Sequence, residues 1–341
     1  MNRTTMIARL SSWTDDRLPR THRRLGVALL AGALISATSC GSGPASQAGS
    51  SATTTAPMPS ASTTTSTTPT STTSVVPATT TVATVARPTA TIDQLVGTEG
   101  DRMHIRCVGE GDTTVVLIAG FGGDSTSWAT VEPEIAARAR VCSSDRPGTG
   151  TSDPATATAT FSTQATDLHA LLATVGEPGP YVVVGHSFGG AEAVTFASLF
   201  TDEVTGLVLV DSSPTTWPDA LCTVADDGSD GAAMLRGLCT AAFPPSGNSE
   251  RLDVVAAFAD AAGIVSLGSL PTAVISASRR ETPPDLAMSE VERLNEVWNQ
   301  GQQDWLALST DAHLVTVDDT GHNIQIDQPA VVIGEITGLL P

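Results

Sequence analysis

YVVVGHSFGGAEAV, residues 181–194, places a run of β-branched residues before an alanine-rich segment, with Gly185-His186-Ser187-Phe188-Gly189-Gly190 between them. The first part reads as a buried strand and the last as a helix. A chain that passes from one to the other in so few residues must reverse sharply, and the glycines let strand and helix approach closely. Ser187 then sits on the turn, its hydroxyl at the carboxyl edge of a sheet with a helix amino end beneath it. In another setting Gly-x-Ser-x-Gly is an ordinary loop. Between a strand and a helix it makes Ser187 a candidate nucleophile.

Six further strand-like runs surround this stretch: MHIRCV, TTVVLIAG, RVCSSD, GLVLVD, PTAVISAS and HLVTVDD. Most are continuously apolar rather than alternating, as expected of strands buried on both faces, and helix-length spacers separate them. The fold class is therefore α/β with a largely parallel sheet. Packing helices are expected over 133–139, 163–175, 190–199 and 329–339. Between 211 and 270 the rhythm fails, with Trp217, two cysteines and Pro244-Pro245. An insertion over about 212–269 is expected to cover one face of the sheet.

The ends are of different character. Residues 1–24 carry six arginines and precede an apolar run over 25–37, the layout of an export signal and too short to span a bilayer comfortably. Small residues lead to Cys40, so processing either makes Cys40 a lipid-modified first residue or cuts an ordinary secretory signal nearby. Arg23-Arg24 also resembles a twin-arginine signal. Residues 41–91 are dominated by Ser, Thr, Ala and Pro, with no aromatic or acidic residue and Arg87 as the one charge. Such a tract buries too little apolar surface to offset the entropy of ordering and is expected to be a disordered stalk. The globular domain is then 92–341, long enough for one α/β domain with a substantial core.

The net charge of −19 argues against nucleic acid or an anionic membrane surface as a partner. With Cys40 set aside, Cys107, Cys142, Cys222 and Cys239 form an even set without metal-type CxxC spacing. In an exported chain two disulfides are expected, Cys107 with Cys142 and Cys222 with Cys239, the alternative being four buried thiols.

A serine hydroxyl needs a base to take its proton and a carboxylate to orient that base. Of the six histidines, His322 in DDTGHNI follows the last strand and precedes the last helix, on the carboxyl side where catalytic groups of open α/β sheets collect. His313 begins that strand, at the wrong end. His104 lies in an early strand, His169 in a helix and His22 in the leader, while His186, beside the serine, reads as packing at the turn. For the acid, Asp211 ends GLVLVD and should emerge beside Ser187. Glu281 after PTAVISAS is the alternative, although Arg279-Arg280 occupies the nearer register. Asp285 lies farther on, and Asp318 and Asp319 stand too close to His322 in sequence. An oxyanion needs amide donors already aimed at it. The N–H groups of Phe121, in Gly120-Phe121-Gly122-Gly123, and of Phe188 are the candidates, although GFGG also suits a plain strand-to-helix turn.

LIAGFGGDSTSW, SSDRPGTGTSD, VVVGHSFGG, LVLVDSSP and DDTGHNIQIDQP occur in order, and together the set resembles the α/β-hydrolase superfamily across 92–341. The resemblance implies an eight-stranded sheet with one antiparallel edge strand, a cap after strand six, and a Ser, acid, His triad. Most members place the acid after strand seven; a minority place it after strand six, and LVLVDSSP looks like that arrangement. If the sheet order also holds, Cys107 and Cys142 lie on adjacent strands. Serine at the elbow argues against the dehalogenase and epoxide hydrolase branches, which attack with a carboxylate. Ala119-Gly120 departs from the usual His-Gly of the oxyanion loop.

The expected function is that of an exported serine hydrolase acting on a small-molecule or lipid carboxylic ester, with no cofactor or metal and with membrane attachment if Cys40 is lipidated. An aminopeptidase-like or amidase activity and a non-catalytic surface-binding role are the alternatives.

Overall fold

The computed structural model describes residues 88–97 and 101–341. The arginine-rich leader, Cys40 and nearly all of the Ser/Thr/Pro tract lie outside the described residues. Eight strands form one sheet: β1 (Ile92–Val96), β2 (Met103–Val108), β3 (Thr114–Ile118), β4 (Arg140–Asp145), β5 (Tyr181–His186), β6 (Val204–Val210), β7 (Thr272–Ala277) and β8 (Ala312–Val317). Their order is β1-β2-β4-β3-β5-β6-β7-β8. β2 runs antiparallel to both of its neighbours, and every other pairing is parallel. The reversed strand is thus second from the edge, a correction to the expected antiparallel edge. β1, which the strand reading passed over, forms the edge instead. Its sequence IDQLV is mostly exposed and lacks the continuous apolar run that marks a central strand.

Helices cover the sheet: α1 (Glu132–Ala136), α2 (Phe161–Thr174), α3 (Phe188–Leu199), α4 (Trp217–Cys222), α5 (Asp230–Ala241), α6 (Val254–Ala262), α7 (Met288–Leu306), α8 (Ile324–Asp327) and α9 (Pro329–Gly338). The central strands β3, β5, β6 and β7 are buried throughout or nearly so. Their side chains join Trp128, Ile135, Val332 and Ile336 in the core. α4, α5 and α6 fall between β6 and β7, where the sequence rhythm breaks, and α6 packs against α2 and α3.

Cys107 and Cys142 face each other directly across β2 and β4 and are joined by a disulfide. A second disulfide links Cys222 and Cys239, tying α4 to α5.

Parallel register decides where the functional side chains emerge. His186 pairs with Val210, Val210 with Ile275, and Ala277 with Val317. The residues following β5, β6, β7 and β8 therefore leave the sheet along a single edge.

Candidate active site

Ser187 stands between β5 and α3 with φ 56° and ψ −125°, a conformation that a residue with a side chain holds only when its surroundings enforce it. The enforcement comes from glycines. A Cβ at Gly185 would strike the carbonyl of Gly189, one at Gly189 the carbonyls of Ala119 and Ile118, and one at Gly190 the side chain of Ser212. Helix, strand and neighbouring strand therefore meet in backbone contact, and the serine is left at the apex.

His322, in the loop after β8, lies with Nε2 2.9 Å from Ser187 Oγ and Nδ1 2.7 Å from Asp211 Oδ2. Asp211 follows β6 directly, with a φ of 41°. Its other oxygen, Oδ1, accepts from the Ala277 amide at 3.0 Å, from Arg280 Nη1 at 3.2 Å and from the Trp298 indole N–H at 3.2 Å. Burial works against ionisation of this carboxyl more than any other single effect. The hydrogen bond from His322, the charges of His322 and Arg280 and the Ala277 amide together outweigh it and hold Asp211 below the usual carboxylate range. The Trp298 ring stands edge-on to the imidazole, centroids 5.4 Å apart. Glu281 is next to Gly321, and no hydrogen bond or ion pair joins it to the imidazole of His322 among the described residues.

The other described histidines are engaged elsewhere. His104 meets Asp93 and Asp145, His169 meets Glu203 and stacks on Phe200, and His313 meets Glu335. His186 is buried, which with the nearby His322 pushes its pKa down to about 3. It is neutral at physiological pH, and its Nε2 lies 3.0 Å from the His322 carbonyl, so the imidazole donates there and pins the backbone of the histidine loop.

On the far side of Ser187, the loop after β3 comes so close that a Cβ on Gly120 would lie 3.1 Å from the serine Cβ. The rings of Phe121 and Phe188 stack at 5.1 Å. Among the described residues no backbone carbonyl outside the regular elements accepts from either amide. Both candidate donors are thus uncommitted beside the serine hydroxyl. Ser213 adds a second hydroxyl, its Oγ 3.4 Å from Ser187 Oγ, and its amide donates to the Ser187 carbonyl.

A sequence family described as the alpha/beta hydrolase fold matches residues 113–227, a stretch that holds the Ser187 turn and Asp211 and stops short of His322. The chain has the α/β-hydrolase fold. Among solved structures, a probable hydrolytic enzyme of Pseudomonas aeruginosa superposes with a TM-score of 0.54 at 21% identity, covering 76% of this chain and 96% of that one. An uncharacterized protein of Bacillus subtilis is 25% identical over 230 residues, 66% of this chain and 82% of its own. The dihydrolipoyllysine-residue acetyltransferase component of the acetoin cleaving system of Pseudomonas putida is 36% identical over 105 residues, 31% of this chain. The chain spans only 28% of the length of that relative.

Trp298 and Ser213 are not singled out by the sequence, and Arg280 enters there only as the residue occupying the register of an acid after β7. The first had a visible signal: Leu294, Trp298 and Trp305 recur at helical spacing in a polar segment, and all three are buried.

Proposed function

We propose that the chain is a serine hydrolase that cleaves carboxylic esters through an acyl-enzyme. One observation carries this reading, the continuous hydrogen-bonded line from Ser187 through His322 to Asp211, at 2.9 and 2.7 Å. As Ser187 Oγ attacks the ester carbonyl, its proton passes to His322 Nε2. Asp211, held ionised, keeps Nδ1 protonated and stabilises the imidazolium that forms. The carbonyl oxygen becomes an oxyanion and is received by the Phe121 and Phe188 amides, the latter in the first turn of α3 where the helix dipole favours negative charge. Collapse of this intermediate expels the alcohol, which takes the proton from His322. Water, deprotonated by the same imidazole, then releases the acid and restores Ser187.

The helices between β6 and β7 serve in this reading as a cap, with Phe258 on α6 packed edge-on against Phe188 at 4.7 Å. The basic leader acts as an export signal, with Cys40 as the lipid-modified residue. Two disulfides fit an oxidising compartment.

Turnover of short-chain p-nitrophenyl esters, run beside aminoacyl p-nitroanilides, tests the reaction class. Ser187→Ala should lower ester kcat by at least about a thousandfold with an unchanged circular-dichroism spectrum, and a fluorophosphonate probe should label the wild type and not the variant. Ester turnover that survives Ser187→Ala would remove the proposal.

A further inference from the structure

The loop that carries Phe121 is held by a buried ionic cluster which the reaction itself does not use. Arg146 follows β4 in Asp145-Arg146-Pro147-Gly148-Thr149-Gly150. Asp145 ties this turn down by accepting from the amides of Ser125 and Thr151, both at 2.8 Å. The Arg146 guanidinium is buried beneath the oxyanion loop. Its Nη1 donates to the Ala119 carbonyl at 2.8 Å and its Nη2 to the Gly120 carbonyl at 2.5 Å. Its Nε meets Glu250 Oε2 at 2.7 Å, and Nη1 also reaches Glu192 at 3.2 Å. Glu250 arrives from the segment between β6 and β7. Its Oε1 accepts the Gly122 amide at 2.5 Å, and Gln164 donates to its Oε2 at 3.2 Å.

Peptide geometry gives this cluster a consequence for Phe121. The Gly120 carbonyl and the Phe121 N–H belong to one planar trans peptide and point in opposite directions. A guanidinium fixed on that carbonyl therefore fixes the direction of the N–H. The next peptide plane contains the Gly122 N–H, which Glu250 holds, so two successive planes are set by one ion pair. The cation also polarises the peptide it touches, strengthening hydrogen-bond donation from the opposite end.

We propose that Arg146 and Glu250 are positioning residues that together aim and polarise the Phe121 amide as an oxyanion donor, so that the segment between β6 and β7 controls the oxyanion site. The proposal rests on the hydrolase reading for the role of Phe121. The ion pair could otherwise serve only the fold, since an uncompensated buried charge is strongly destabilising. The two roles separate when both charges are removed together.

The experiment compares the wild type with Arg146→Met, Glu250→Ala, Glu250→Gln and the double variant Arg146→Met/Glu250→Gln. Three quantities are measured: thermal stability, hydrogen exchange of the 119–123 backbone, and kinetics on a short acyl ester with inhibition by a phenylboronic acid that forms a tetrahedral anion on Ser187. Arg146→Met and Glu250→Ala should lower kcat roughly tenfold to a hundredfold with KM changed by less than about threefold, and weaken the boronic acid in parallel. Exchange in 119–123 should quicken in both. Glu250→Gln, whose amide oxygen still accepts from Gly122, should keep more of kcat than Glu250→Ala. The double variant should regain stability but not kcat. Recovery of kcat together with stability in the double variant, or wild-type exchange in a folded Arg146→Met, would overturn the proposal and leave a structural ion pair. A wild type that hydrolyses no ester would instead defeat the hydrolase reading, and exchange at 119–123 would still decide whether the pair orders the loop.

Discussion

Arg280 follows β7, where the resemblance puts an acid in most members of the superfamily, and here it brings a cation to 3.2 Å from the Asp211 carboxylate. It is itself fixed, donating to the Ala277 carbonyl and to Asn299 and lying over the Trp298 ring. Its charge favours the ionised form of Asp211 and disfavours a further proton on the Asp211–His322 pair. Arg280→Gln should therefore move the acidic limb of the kcat/KM profile to higher pH and leave the alkaline limb in place. A folded variant with an unmoved acidic limb would show that this charge is not felt at the pair. At this scale sequence reasoning reaches residues whose position follows from a local turn or a strand end, as for Ser187, Asp211 and His322, which hydrogen bonds join in the order Ser187–His322–Asp211. Trp298, Arg146 and Glu250 are not reached that way. Trp298 meets Asp211 across 87 residues and Arg146 meets Glu250 across 104, and such pairings are created by topology rather than by any local pattern.

Among the elements, α7 is the longest helix that the sequence does not announce, and the reason is its polarity. MSEVERLNEVWNQGQQDWL buries Leu294, Trp298, Gly301, Gln302 and Trp305 and little else. This narrow stripe is periodic but sparse, and it lacks the alanine-rich character that revealed the helices beside the sheet. Gly301 marks where α7 touches the loop after β6, because a Cβ there would collide with the ring of Pro214. Glycine inside a helix ordinarily costs about 1 kcal/mol relative to alanine, so at an open site Gly301→Ala would stabilise. Here overpacking should reverse the sign, lowering stability by roughly 1–3 kcal/mol. The same shift should carry Trp298 away from Asp211 and reduce kcat. Chemical denaturation combined with ester kinetics checks both, and a more stable, fully active Gly301→Ala protein would show that the contact with Pro214 yields freely. β1 was missed for the opposite reason: an edge strand faces solvent and needs no apolar signature.

For the whole molecule, composition foretold acidity but could not reveal that several acids are buried, Glu192 among them. Glu192 lies on α3 only five residues beyond the nucleophile, in a segment otherwise apolar enough to read as core helix. Its partner Arg146 comes from another part of the chain. Burial raises its pKa most, Arg146 opposes that, and nearby Glu250 adds to it, leaving the group pushed up to about 7 from an ordinary 4.5. Between those two values the folded protein holds a proton that the unfolded chain has released. Stability must therefore fall as pH rises from about 4.5 to about 7 and change little beyond, by up to roughly 3 kcal/mol from this group alone. A net charge of −19 adds self-repulsion in the same direction, so the wild-type curve cannot isolate the effect. Glu192→Gln can, because it keeps a hydrogen-bonding side chain at the site and removes the titration. The unfolding free energy of the wild type minus that of Glu192→Gln should decline steadily across this window, measured by urea denaturation at constant ionic strength. A difference that stays flat from pH 4.5 to 8 would mean that Glu192 carries the same charge in the folded and unfolded states, with Arg146 compensating its burial in full.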